Sequence, residues 1–157
     1  WSNTFSVDTK KGSIDCRTEL PSSCRDYIKL FVIHYLMTAA VAEPKGTWVS
    51  EKDITGGAAF FRGPHLIPVK LITDRFNTDL ESFKAVCEKL NGKPINLADA
   101  AFEFRITPKI PVALLFWLGD EDFPSDAKML FDQTIEQHLA LDIIWALAVA
   151  VCRAVGE

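Results

Sequence analysis

Polar and apolar residues alternate in Thr4-Phe5-Ser6-Val7-Asp8 and again in Ser13-Ile14-Asp15-Cys16, with Lys10-Lys11-Gly12 between them, which predicts a β-hairpin. Pro21, Ser22 and Ser23, with Asp26 three residues beyond Ser23, read as a capped helix start, and Glu43-Pro44-Lys45-Gly46 as its end. The helix so predicted runs from Ser23 to Ala42. Its apolar residues, from Tyr27 and Ile28 through Leu30, Phe31, Val32, Ile33, Tyr35, Leu36 and Met37, point in nearly every direction, which predicts a helix central to the core.

Thr47 to Ser50 and Ala58 to His65, joined through Gly56-Gly57, read as two short strands or a strand and a loop. Val69, Ile72 and Phe76 have helical spacing. After Asn77, Thr78 with Glu81 has the form of a capping box, so two consecutive helices or one kinked helix end at Asn91-Gly92. Ala101 to Thr107 alternates as a half-buried strand, with Glu103 and Arg105 on its polar side. Thr107-Pro108-Lys109 turns it into the apolar run Ile110 to Leu118, a buried strand that pairs with it. Lys128 to Phe131 returns as a short strand. The last segment, Leu139 to Val155, is an apolar helix whose Ala146, Ala150 and Ala154 are four apart, a stripe that admits close approach of another helix. This order, without regular βαβ alternation, predicts a single α+β domain over residues 1–157: a mostly antiparallel sheet packed against about four helices.

The length, 157 residues, and 48% hydrophobic content suffice for one packed core and exclude intrinsic disorder. A net charge of −4 argues against nucleic acid and anionic membrane as partners. No segment approaches the length needed to span a bilayer, and no signal peptide is visible, so a cytoplasmic location is expected. The first residue is Trp, which implies that a short N-terminal segment precedes it. Cys16, Cys24, Cys87 and Cys152 contain no C-x-x-C pair, which removes the common zinc, thioredoxin-like and iron–sulfur spacings and leaves free thiols as the expectation. Cys16 with Cys24 is the one locally plausible bridge.

Candidate chemistry lies in three places. Asp120, Glu121 and Asp122, with Asp132 nearby, are the densest carboxylates; such oxygens hold hard divalent cations, although no EF-hand spacing is present and a solvated loop that caps a strand end and starts a turn through Pro124 explains them as well. Gly56 to His65 combines two glycines, Phe60, Phe61, Arg62 and His65, suited to lining a pocket for an anionic or planar ligand, or equally to a hairpin with a glycine bulge. His34, His65 and His138 share no helical ligand spacing; if two converge they can ligate a metal or haem-like cofactor, and otherwise each is structural. No P-loop, dinucleotide or serine-nucleophile motif occurs, and Cys87 and Cys152 look like small core fillers.

Several segments, Gly46-Thr47-Trp48-Val49-Ser50, Ile54-Thr55-Gly56-Gly57-Ala58, Leu97 to Phe104, Pro108 to Val112, Trp117-Leu118-Gly119-Asp120-Glu121-Asp122-Phe123-Pro124 and Leu130-Phe131-Asp132, together resemble the domain of unknown function 3786 family over about Trp1 to Val155. The resemblance implies anaerobic bacteria and archaea, and a setting in corrinoid-linked or one-carbon redox metabolism, because some members carry an iron–sulfur domain like that of corrinoid proteins. It makes corrinoid or iron–sulfur proteins the implied partners. The clustered cysteines of those fused members are absent here, so no cluster is assigned. Of the motif residues, Trp48, Gly56, Gly57, Asp99, Arg105, Asp120, Glu121 and Asp132 are the positions to test.

Three functions remain in view. The first is a binding or accessory domain in which Arg62, His65 and Arg105, with His34 and His138 as imidazole ligands, take a tetrapyrrole or corrinoid-type cofactor between the Gly56–His65 segment and the acidic loop. The second is a metal-dependent enzyme using Asp120, Glu121, Asp122 or Asp132, which requires a carboxylate buried in a cleft. The third is a homodimerisation module pairing through the alanine stripe of the last helix.

Overall fold

In the computed structural model, residues 4–17 and 20–157 are described. The expected hairpin forms, with strand β1 (Thr4–Asp8) antiparallel to β2 (Ser13–Arg17) and Gly12 in the left-handed region at φ +63° to close the turn. A 3₁₀ turn at Ser22–Cys24 leads into helix α1 (Arg25–Thr38). No side chain caps this start, because the Ser23 hydroxyl bonds the Glu157 carboxylate instead. The helix stops four residues before the expected Ala42. Thr38 Oγ1 bonds back to the His34 carbonyl at 2.8 Å and across to that of His138 at 3.3 Å, while the Lys109 ammonium donates to the Ala40 carbonyl at 3.1 Å, and the chain leaves as an extended strap.

Strand β3 (Trp48–Val49) follows, then α2 (Gly57–Phe60) and a 3₁₀ turn at Gly63–His65. The Gly56–His65 segment is thus helical, neither a second strand nor a hairpin with a bulge. Gly56 has φ +76°, and a Cβ on Gly57 would lie 1.9 Å from the Glu51 carbonyl oxygen, so the glycine pair serves a tight turn against the preceding backbone. Helices α3 (Lys70–Phe76) and α4 (Leu80–Lys89) are separate, as one of the two readings had it. The cap of α4 is Asp79, which accepts from Ser82 N at 3.0 Å and Ser82 Oγ at 2.6 Å, in place of the Thr78–Glu81 box.

Strands β4 (Lys93–Ile95), β5 (Ala100–Thr107), β6 (Ile110–Trp117) and β7 (Asp126–Asp132) complete the sheet, followed by the short α5 (Ile135–His138) and α6 (Leu141–Gly156). The order β3-β7-β6-β5-β4 is antiparallel throughout. The chain is an α+β domain, as its pattern predicts. Phe102 and Phe104 of β5, alternate residues of β6 from Ile110 to Phe116, and Met129 and Phe131 of β7 meet the helices on one face. The opposite face carries a smaller cluster of Ala101, Ala113 and Leu115 bordered by Trp48, Ile95, Trp117 and Leu130.

The helix at the centre is α6, not α1. From Ile143 to Val155 it is buried at every position except Trp145 and Arg153. Ala146, Ala150 and Ala154 lie inside the chain, so the stripe expected to pair two copies is not at the surface. Helix α1 buries Ile28, Phe31 and Val32 but leaves Leu30 and Ile33 46% exposed, Leu36 64% and Met37 78%. No helix among the described residues is long and apolar enough to cross a membrane.

Candidate functional site

The four carboxylates expected to share a cation do not converge. Asp120, Glu121 and Asp122 are exposed in the loop before β7, whereas Asp132 ends that strand, about 20 Å away at 3.3 Å per residue. Asp120 Oδ1 accepts from the amides of Asp122 at 2.9 Å and Phe123 at 2.8 Å, so the loop caps itself. Asp132, only 1% exposed, has both oxygens occupied. Its Oδ1 accepts from Thr134 N at 3.0 Å, Thr134 Oγ1 at 2.7 Å and Lys45 N at 3.2 Å, and Oδ2 from Gly46 N at 2.7 Å. Burial pushes its carboxyl up, and the Thr134, Lys45 and Gly46 hydrogen bonds together outweigh that, holding it below the usual carboxylate range. Asp132 is therefore an anchor for the strap after α1. Among the described residues no group of three or more His, Cys, Asp or Glu could hold a metal.

The cationic and imidazole candidates are likewise dispersed. His65 stacks on Phe60 with ring centroids 4.4 Å apart and makes a T-shaped contact with Trp145 of α6 at 5.5 Å, so its ring is engaged by two aromatics. Arg62 is exposed beside it. Arg105 belongs to the sheet face turned away from the helices and pairs with Glu103 at 2.8 Å on its own strand. It cannot join Arg62 and His65 around one ligand. His34 and His138 do meet at Thr38: His34 Nδ1 lies 2.8 Å from its hydroxyl, and the His138 carbonyl accepts from it. The His138 ring itself is buried without a hydrogen bond of good geometry, beside the Ala42 carbonyl. Desolvation and the Lys109 charge lower its pKa, against opposing contributions from Ala42, Asp132 and Glu43. Two imidazoles thus share a neighbour without presenting nitrogens to a common point.

Other motif residues have structural work as well. Asp99 accepts from the Leu118 amide at 2.9 Å, tying the loop before β5 to the end of β6. Trp48 stands opposite Asp132 at the β3 edge. Cys24, Cys87 and Cys152 are buried free thiols whose pKa burial raises, so none is poised as a nucleophile. The side chain of Cys16 lies outside the described residues, and Cys24 is free, so the locally plausible Cys16–Cys24 bridge is not formed.

A feature with no motif in the sequence is a cleft of about 290 Å³ between the hairpin, α1 and the β5–β6 turn. Phe5 comes from β1, Ile28, Phe31, Val32, Tyr35 and Leu36 from α1, and Ile106, Thr107 and Pro108 from the turn. Two other hollows, about 380 Å³ beside β4 and about 330 Å³ between α3 and α4, are lined in part by charged Lys84, Glu88 and Asp99 or Arg75 and Asp79. Among the described residues that line the cleft, none is charged. Its polar groups are the Tyr35 and Thr107 hydroxyls, and its volume is at the lower end of small-molecule sites. The described lining therefore suits an uncharged apolar group. The signal for it in the sequence is the apolar crowding of α1, more than one buried face can use.

The family described as Domain of unknown function (DUF3786) matches residues 1–154, and the chain belongs to it. No curated protein and no solved structure matches the chain.

Proposed function

We propose that this DUF3786 domain is a binding or accessory domain that takes an uncharged apolar group, from a small molecule or a partner's side chain, into the cleft formed by Phe5, α1 and the β5–β6 turn. The observation that carries this reading is the coincidence of a hollow whose described lining is uncharged with a helix whose remaining apolar residues face outward. The distribution of reactive groups among the described residues supports binding over chemistry: the thiols of Cys24, Cys87 and Cys152 are buried, Asp132 is saturated with donors, and the acidic loop is capped by its own amides. A tetrapyrrole or corrinoid held by Arg62, His65 and Arg105 finds no support in where those residues stand. Corrinoid and iron–sulfur proteins stay as partners to screen, as the resemblance implies.

A titration with a neutral fluorescent naphthylamine tests the reading. Saturable one-to-one binding is expected, and Pro108→Trp, which fills the mouth of the cleft from an exposed position, is expected to abolish it. Absence of saturable binding, or binding indifferent to that substitution, contradicts the reading.

A further inference from the structure

We infer that the outer face of α1 is a self-association surface, on which two copies of this chain pair about a two-fold axis with their α1 helices antiparallel. Leu30, Ile33 and Met37 follow the three-then-four spacing of a helix seam, and Leu36 widens it to an arc of about 120°. All four are 46–78% exposed. Leu30, Ile33 and Met37 lie on the side of the helix away from Ile28, Phe31 and Val32, and Leu36 lies at the edge between that side and the cleft.

The area decides how large a partner surface this is. The four side chains expose roughly 400 Å², and Val41 just beyond the helix, 87% exposed, brings the apolar surface above roughly 500 Å². A stable interface of standard size takes about 800 Å² per partner, and at the roughly 65% apolar content of homodimers that is about 520 Å² of apolar surface. The stripe thus supplies the apolar part of one such interface and little more.

Charge sets the orientation and favours a second copy. Arg25 and Lys29 flank the stripe at the N-terminal end of α1, with Asp26 the one carboxylate among them. Glu43, 76% exposed, is held near the other end by Lys109, whose ammonium lies 3.9 Å from its carboxylate and donates to the Ala40 carbonyl. Antiparallel pairing sets Arg25 and Lys29 of each copy toward Glu43 and the negative helix end of the other, twice over, as an isologous interface requires. Parallel pairing would set like charges together.

This surface adjoins the cleft through Leu36, which lines both, but Ile33 does not line the cleft, so a substitution there tests pairing apart from the cleft ligand. Sedimentation equilibrium on the full chain tests it. The expected result is a mass twice the 17.5 kDa of the chain at about 0.1 mM, with Ile33→Asp weakening association about 100-fold, the scale of an interface hot spot, at unchanged thermal stability. Lys29→Glu is expected to weaken pairing and Lys29→Glu with Glu43→Lys to restore it, which holds even if Ile33→Asp proves unstable. A monomer at that concentration, or a dimer indifferent to both Ile33→Asp and the charge exchange, overturns the inference.

Discussion

Asp132 offers the sharpest test of how the site region is built, because its hydrogen bonds divide unequally between its oxygens. Three of the four donors, the Thr134 amide and hydroxyl and the Lys45 amide, reach Oδ1, and the Gly46 amide alone reaches Oδ2. Asp132→Ala removes every acceptor. Lys45 and Gly46 are exposed and can turn to water, whereas Thr134 is 1% exposed and its two donors are stranded. At about 1–3 kcal/mol for each stranded donor, and with the strap released, the loss comes to about 3–5 kcal/mol. In Asp132→Asn an amide oxygen in the Oδ1 position retains three bonds, and only the Gly46 amide meets an N–H in place of an oxygen, so about 1–2 kcal/mol is lost. Urea unfolding at pH 7 reads both values, with an unchanged m-value in each variant. The folded-state pKa of Asp132 lies below its unfolded value of about 3.9, so its contribution is present above that pH and is lost as pH falls through the folded value. The gap between wild type and Asp132→Asn should therefore narrow in acid. A loss under about 1 kcal/mol for Asp132→Ala, or equal losses for the two variants, refutes the anchoring role. A metal ligand in disguise would behave differently, losing cation affinity with little change in metal-free stability.

Two further outcomes follow from particular contacts. Gly57→Ala places a Cβ 1.9 Å from the Glu51 carbonyl and should cost about 3 kcal/mol or more, read as a fall of roughly 10 °C in Tm, while Gly63→Ala, at φ +54° with nothing within 4 Å, should cost only about 1 kcal/mol. His138→Phe removes an imidazole that burial and Lys109 keep neutral. Since the folded pKa lies below the unfolded value near 6.5, wild type loses stability as pH falls below 6.5, by at most about 1.4 kcal/mol per pH unit, and the Phe variant should gain on it between pH 7 and 5 in thermal melts.

Much of the fold is legible because local patterns and tertiary packing agree. The hairpin, the β5–β6 pair and the two helices after Pro68 follow from alternation and spacing over short stretches. Helix α1 shows where that reasoning stops. Apolar residues all round a helix are compatible with a central position or with a second, outward-facing surface, and only the competing burial of α6, with its alanines and few charges, decides which. The Gly56–Gly57 turn was ambiguous for a different reason: the requirement for Gly57 comes from the Glu51 backbone, a contact absent from any local pattern. Counting carboxylates by nearness in sequence joined Asp132 to the acidic loop, although a seven-residue strand separates them. The cleft is built from Phe5, one face of α1 and residues 106–108, three segments with no shared motif, so folding alone brings it together.

Chemical-shift mapping with ¹⁵N-labelled protein and the neutral naphthylamine tests the binding account most directly, because it reports where a ligand sits as well as whether it binds. Perturbations concentrated on Phe5, Ile28 to Leu36 and Ile106 to Thr107 are the predicted result. Perturbations centred instead on Arg62, His65 and the Asp120 loop, or none at saturating probe, would contradict it.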